Sequence, residues 1–157
     1  MEGMHPLEAT GLARFMREAM YAYPITESIH IMGLGLLFGS IVVVDLRILG
    51  LGRRVPIKPL LGLALPFSVG GFIVAASTGL LMFTAHAGDF LTNPAFLTKI
   101  VLIILAGCNA AALHAGPLAK LRADGDAVLP ARARLFALVS ILLWMGVIIC
   151  GRMLAYL

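Results

Sequence analysis

With 157 residues, 61% hydrophobic and only 13% charged, and a mean hydropathy of +1.00, the chain is too apolar for a water-soluble domain and falls in the range of integral membrane proteins. Its formal charge of +4 does not mark a nucleic-acid binder, because the basic residues lie in short segments between apolar runs, where they report membrane topology. Cys108 and Cys150 both sit within apolar runs and form neither a disulfide framework nor a Cys-x-x-Cys metal site; they read as small buried hydrophobes.

The N-terminus lacks a basic region followed by a short apolar segment and a small-residue cleavage site, so no removed signal peptide is expected. Residues 5–22 start with a Pro suited to a first helical turn, and Leu12, Phe15, Met16, Ala19 and Met20 recur at helical spacing. An amphipathic helix lying on the membrane surface is the predicted form, with Tyr21 and Tyr23 at the interface.

Four apolar runs follow, each able to cross a bilayer, which takes about 20 residues. They are read as spans over 24–50, 59–86, 94–119 and 131–156. Pro66 and the Gly70-Gly71 pair mark places where the second can bend, and Gly116-Pro117 loosens the last turn of the third. Residues 87–94 are read as a loop ending in an Asn93 cap with Pro94 at the first helical position. The fold predicted is all-α: residues 1–22 form an amphipathic segment, and 23–157 an up-down-up-down four-helix transmembrane bundle. Arg47, Arg53, Arg54, Lys58, Lys120, Arg122, Arg132 and Arg134 flank the first and third loops. The positive-inside rule then predicts both termini and the 87–93 loop outside the cytoplasm of a bacterial inner membrane.

An ionisable side chain inside a span costs about 2.5–3.5 kcal/mol on insertion scales, so each such residue is a candidate for function. At about 1.5 Å per residue, His30 and Lys99 lie roughly 7–9 Å inside the outer boundary. His86 at the end of the second span and Arg152 near the end of the fourth arrive at a similar level. Glu27 shares a helix face with His30 and is expected to orient the imidazole or to handle a proton. Gly33 and Gly79 lie near the two histidines and let a helix or a flat ligand approach. This pattern suits a b-type haem held edge-on, with His30 and His86 as axial metal ligands and Lys99 and Arg152 beside the propionates. The plainer reading is a His30 hydrogen-bonded to Glu27 or a backbone carbonyl, an interfacial His86, and Lys99 and Arg152 that reach the headgroups.

His114 lies near the opposite rim, too far along its span to share a metal with His30; with Asp45, Arg47, Asn109 and Arg122 it reads as an inner polar network. Met1, Met4 and His5, with Met16 and Met20, offer soft ligands for Cu(I), or else adaptable apolar surface.

His30-Ile31-x-Gly33 and Asp45-Leu46-Arg47 at the two ends of the first span, with Asn93-Pro94-Ala95-Phe96-x-x-Lys99 opening a helix that closes with His114, resemble an uncharacterised family of small bacterial four-helix membrane proteins. More distantly, the early His and the Lys-then-His pattern resemble the haem-b protoporphyrinogen oxidase family, which implies His30 and Lys99 as a pair near the haem. The same arrangement is similar to the copper-resistance D membrane domain. The chain departs from the oxidase pattern at Phe38, in a span where a Trp is looked for, and in His86, an added ligand candidate. Haem binding, rather than the porphyrinogen reaction, is what that resemblance carries.

The expectation is a membrane b-type cytochrome passing electrons between a donor such as quinone and an outer-face acceptor, itself a redox enzyme or the electron-transfer subunit of one. Copper handling through His30, His86 and the methionines is the alternative, and a cofactor-free accessory subunit of a larger complex the third.

Overall fold

Capping residues divide the described part of the chain, residues 6–119, 130–154 and 156 of a computed structural model, into six α-helices. After a 3-10 turn over Pro6–Ala9 come α1 (Gly11–Glu18), α2 (Ala22–Leu49), α3 (Ile57–Ala85), α4 (Ala87–Thr92), α5 (Pro94–Ala115) and α6 (Ala131–Met153). Among the described residues, four helices are long and apolar enough to cross a membrane: α2, α3, α5 continued to Ala119, and α6. The protein is a multi-pass, all-α membrane protein. Its outward face is lined by side chains such as Ile31, Leu63, Ile104 and Leu142 that are more than half exposed. In water such a surface would be a liability; against acyl chains it is the expected lining.

Each helix end has a local cause. Thr10 accepts from the Ala13 amide at 3.3 Å and starts α1 afresh, so the helix expected over 5–22 is a 3-10 turn followed by two turns of α-helix. Gly50 ends α2 with φ of 113°, and Leu51 N donates to Leu46 O at 2.9 Å, the 6→1 bond of a Schellman stop. Asn93 Oδ1 accepts from Ala95 N at 2.9 Å and Phe96 N at 3.4 Å, with Pro94 in the first turn, as the sequence predicts. Replacing Asn93 with Ala should lower stability by about 1 kcal/mol, read as a lower midpoint of thermal unfolding in detergent; an unchanged midpoint would show the cap to be idle. The stretch read as a loop before it is largely α4, while Gly116 interrupts the last turn of the third span.

The spans pack antiparallel, α3 on α2 and α5 on α6, with α2 also on α6, whereas α3 and α5 scarcely touch. At the α2–α3 crossing, contacts step backward on one helix as they step forward on the other: His30 meets Gly79, Gly33 meets Ala75, and Leu37 meets Gly71. On the other side Lys99 lies against Gly151, Leu102 against Gly146, and Asn109 Nδ2 donates to Phe136 O at 3.0 Å. Gly71 is therefore a contact position at this crossing. Two apolar clusters fill the interior, one around Leu37, Ala106, Trp144 and Val147 and one around Val44, Ile48, Leu61, Leu113 and Ala137. Cys108, expected to be buried, faces outward from α5 and Cys150 is half-buried; both are free thiols.

The N-terminal segment clamps one end of this bundle. Ala13 and Met16 of α1 are buried against it. Arg17 donates from Nη1 to Ala85 O at 3.0 Å and from Nη2 to Glu8 O at 2.8 Å, and Glu8 Oε1 accepts from Gly88 N at 2.7 Å. One guanidinium thus satisfies a carbonyl at the end of α3, and one carboxylate an amide in the first turn of α4. Met1, Met4, His5, Lys120 and Arg122 lie outside the described residues.

Candidate functional site

Just inside the end capped by α1 and α4, the helices surround a cavity of about 460 Å³. Its polar lining is Glu27 and His30 from α2, Lys99 from α5 and Arg152 from α6, and Gly79 of α3 contributes a bare stretch of wall. Helical rise explains the convergence: in an antiparallel bundle, equal distance from the same membrane face places residues of different helices in one layer. Tyr23, Phe38, Phe90 and Phe96 complete an apolar shell, with Phe90 and Phe96 stacked at 5.3 Å and Phe83 behind them at 5.5 Å from Phe96. Met82, one turn beyond Gly79, brings a thioether.

His30 is held by α3. Its Nδ1 lies 2.8 Å from Ala75 O and 3.1 Å from Thr78 Oγ1. A carbonyl can only accept, so Nδ1 carries the proton and donates, which leaves Nε2 as the basic nitrogen available to the cavity. Thr78 donates to Val74 O at 2.6 Å, so its oxygen is free to accept from the same N–H. An edge of the ring comes close to Gly79, where a Cβ would stand 3.2 Å from His30 Cε1 and 3.6 Å from Nδ1. The orienting role expected of Glu27 is taken by this carbonyl and hydroxyl: sharing a face of α2 does not matter once the ring is turned across to α3.

The two cations differ. Lys99 crosses the face of Gly151, whose missing side chain leaves room for the Nζ 3.6 Å from where a Cβ would sit. Arg152 donates to Tyr156 Oη at 3.2 Å and stacks over that ring at 5.4 Å. Among the described residues, neither makes a salt bridge, and the cavity brings both together with one carboxyl group, Glu27.

Two residues read from the sequence stand elsewhere. Gly33 packs on Ala75 and Val74 at the helix crossing and does not line the cavity. His86 caps α3 and lines a neighbouring hollow with Tyr23, Asp89 and Asn93; its ring is 6.0 Å from that of Tyr23, and Nδ1 is 3.8 Å from Asp89 Oδ2. His30 sits over Gly79, seven residues before His86, or roughly 10 Å along the helix axis. His86 lines the neighbouring hollow and His30 the cavity itself, and α3 ends at Ala85, which leaves His86 at the rim. Among the described residues, no group of three His, Cys, Asp or Glu could hold a metal ion.

At the other end of the bundle Asp45 and His114 share a second cavity, while Arg47 turns away to donate to Val55 O at 2.7 Å and Arg53 O at 3.1 Å. The inner network read from the sequence is accordingly split. Ala75, Thr78 and Met82 were not singled out in the sequence; the signal for them is the hydroxyl-glycine pair Thr78-Gly79 within an otherwise apolar helix.

No curated protein and no solved structure matches the chain. Residues 13–157, covering every span and the cavity they enclose, match the family described as "Family of unknown function (DUF6644)", and the chain belongs to that family.

Proposed function

We propose that the outer cavity binds a b-type haem, with Nε2 of His30 as an axial ligand and Lys99 and Arg152 as partners of the propionates, and that the protein transfers electrons between a membrane donor such as quinone and an acceptor beyond the face covered by α1 and α4. The observation that carries this reading is the tautomer of His30, set by Ala75 O, in a cavity that also gathers Lys99 and Arg152. Metal-bound histidines characteristically donate their other ring nitrogen to a carbonyl or carboxylate, and a dianionic ligand in a low-dielectric site needs cationic partners. The cavity volume is within the range of cofactor pockets, and its aromatic walls suit a flat apolar ring.

Bound haem would supply a one-electron couple whose potential follows axial ligation and surrounding charge. The chain's own contributions are then distinct. Ala75 and Thr78 fix the imidazole, Gly79 keeps the ring's flank clear, the aromatic shell excludes water, and Glu27 handles protons at the cavity edge. Met82, rather than His86, is the side chain on α3 placed to approach the cofactor from within the cavity. The excess of Arg and Lys around the 50–56 loop and the start of α6 supports an inner-membrane orientation with the haem end outside the cytoplasm.

The test is a visible spectrum of the full chain purified after expression with haem supply. A Soret band with close to one haem per chain is expected. A colourless protein carrying copper would transfer the cavity to the copper reading, and a colourless, metal-free protein would leave only the accessory-subunit reading.

A further inference from the structure

A hollow of about 550 Å³, bordered by the polar side chains of His86, Asp89, Thr92 and Asn93, adjoins the outer cavity at its rim. Tyr23, Phe90 and Leu154 line both spaces and form the partition between them. Tyr23 belongs to a span and Leu154 follows one, but Phe90 belongs to α4, which is too short to cross the membrane.

Six residues make fewer than two turns, well below the dozen or so that a helix needs to hold itself in water. Of these six only Ala87 is buried, and the Thr92 hydroxyl bonds within the helix, to Gly88 O and Asp89 O. The chain leaves helical geometry on both sides, with φ of −140° and ψ of 44° at His86, and −84° and 119° at Asn93. What reaches α4 from a distant part of the chain is the Glu8 side chain, whose Oε1 accepts from Gly88 N at 2.7 Å. That amide is an orphan donor of the helix's first turn, and Glu8, 80 positions away, supplies the cap that the His86 side chain does not. Glu8 is itself held, because Arg17 donates to its backbone oxygen at 2.8 Å and to Ala85 O at 3.0 Å. Phe90, two residues beyond Gly88, then stacks on Phe83 and Phe96, with ring centres 6.2 and 5.3 Å away.

We propose that α4 is a hinged lid between the outer aqueous phase and the cavity, with His86 and Asn93 as its hinges and Glu8 as the latch that keeps Phe90 in the partition. With the latch made, the hollow stops at Tyr23, Phe90 and Leu154. With it released, α4 swings outward, Phe90 leaves the partition, and the hollow and cavity become one space open to water-soluble molecules. The lid follows from the two spaces and their shared wall, and it stands whether or not the cavity takes haem.

Met82 lines the cavity and not the hollow, and Ser68 lines the separate cavity near the opposite face. Each is replaced with Cys in turn in the full chain, with Cys108→Ser and Cys150→Ser removing the native thiols. The haem-free protein in phosphatidylcholine nanodiscs is treated with a permanently charged methanethiosulfonate reagent, and modification is followed by mass spectrometry. The charge keeps the reagent out of the acyl region, so position 82 is reached through water. Its modification should be slow with the latch intact and roughly tenfold or more faster in Glu8→Ala, since the rate follows the population of the open form and a hydrogen bond to a charged group has been lost. Glu8→Gln keeps a carbonyl that accepts from Gly88 N and should fall between the two. Phe90→Ala leaves the latch but breaches the partition, and should also speed modification at 82. The rate at 68 should stay the same throughout. A rate at 82 that Glu8→Ala leaves unchanged would overturn the proposal, whatever Phe90→Ala does. Equal acceleration at 68 would overturn it too, by showing a general loosening of the bundle. Where Glu8→Ala does not fold, Glu8→Gln read against the wild type decides by the same two criteria.

Discussion

Replacing His30 with Ala should abolish the Soret band of protein purified with haem, while His86→Ala should leave it in place. The contrast follows from position along α3. His30 presents Nε2 to the cavity because its other nitrogen is held by Ala75 O at 2.8 Å, whereas His86 lies about two turns further out beside Tyr23 and Asp89. Thr78→Val removes the second acceptor near Nδ1, 3.1 Å away, without touching the cavity's cations. Losing such an outer partner of a ligating histidine costs on the order of 10–100-fold in affinity. The expected order of retained haem is therefore wild type and His86→Ala together, then Thr78→Val, then His30→Ala with none. A band that survives in His30→Ala, or disappears in His86→Ala, would place the iron elsewhere and sink this assignment.

The contrast between the two histidines also shows what a linear sequence encodes about a membrane bundle. Span ends were legible because the residues that stop a helix act locally: Gly50 in the left-handed region and Asn93 on two amides each do what their type predicts. Depth was legible too. Counting from Pro24 or Pro94 fixes height in the bundle, which is why His30, Lys99 and Arg152 line one cavity. Rotation about the helix axis and rotamer were not legible, since they are set by the partner helix. Glu27 shares a face with His30, yet the imidazole reaches across to α3; Gly33 and Gly79 look alike in sequence, yet one is a helix contact and the other lies beside a ring. Asp45 and His114, 69 positions apart in the chain, could be assigned to one rim by depth, but their unpaired atoms become visible only once Arg47 is seen to turn to the loop.

Gly71→Ala should be among the most damaging single-methyl changes in the protein, and Gly70→Ala, one residue away, should be nearly silent. A Cβ on Gly71 would stand 2.5 Å from Leu37 N, 2.8 Å from Gly33 O and 3.0 Å from Leu37 Cα, all backbone atoms that no rotamer change can move. A Cβ on Gly70 meets nothing within 4 Å. Lipid offers no hydrophobic drive for helices to associate, so close backbone approach at small residues is a main source of their attraction. Overpacking a tight core costs about 1–3 kcal/mol, and a clash with backbone belongs at the upper end of that range. Removing a helix-interior glycine at Gly70, by contrast, gains about 0.4–1 kcal/mol where the conformation already suits alanine. Unfolding of the two variants in detergent, followed by circular dichroism, should separate them widely; equal midpoints would mean the α2–α3 crossing is looser than described. The same change reaches the cavity. Ala75, whose carbonyl holds His30, is one turn from Gly71 and touches Gly33, so forcing α2 and α3 apart lengthens the bond that fixes the imidazole. Gly71→Ala should therefore lose haem as well as stability, and Gly70→Ala neither.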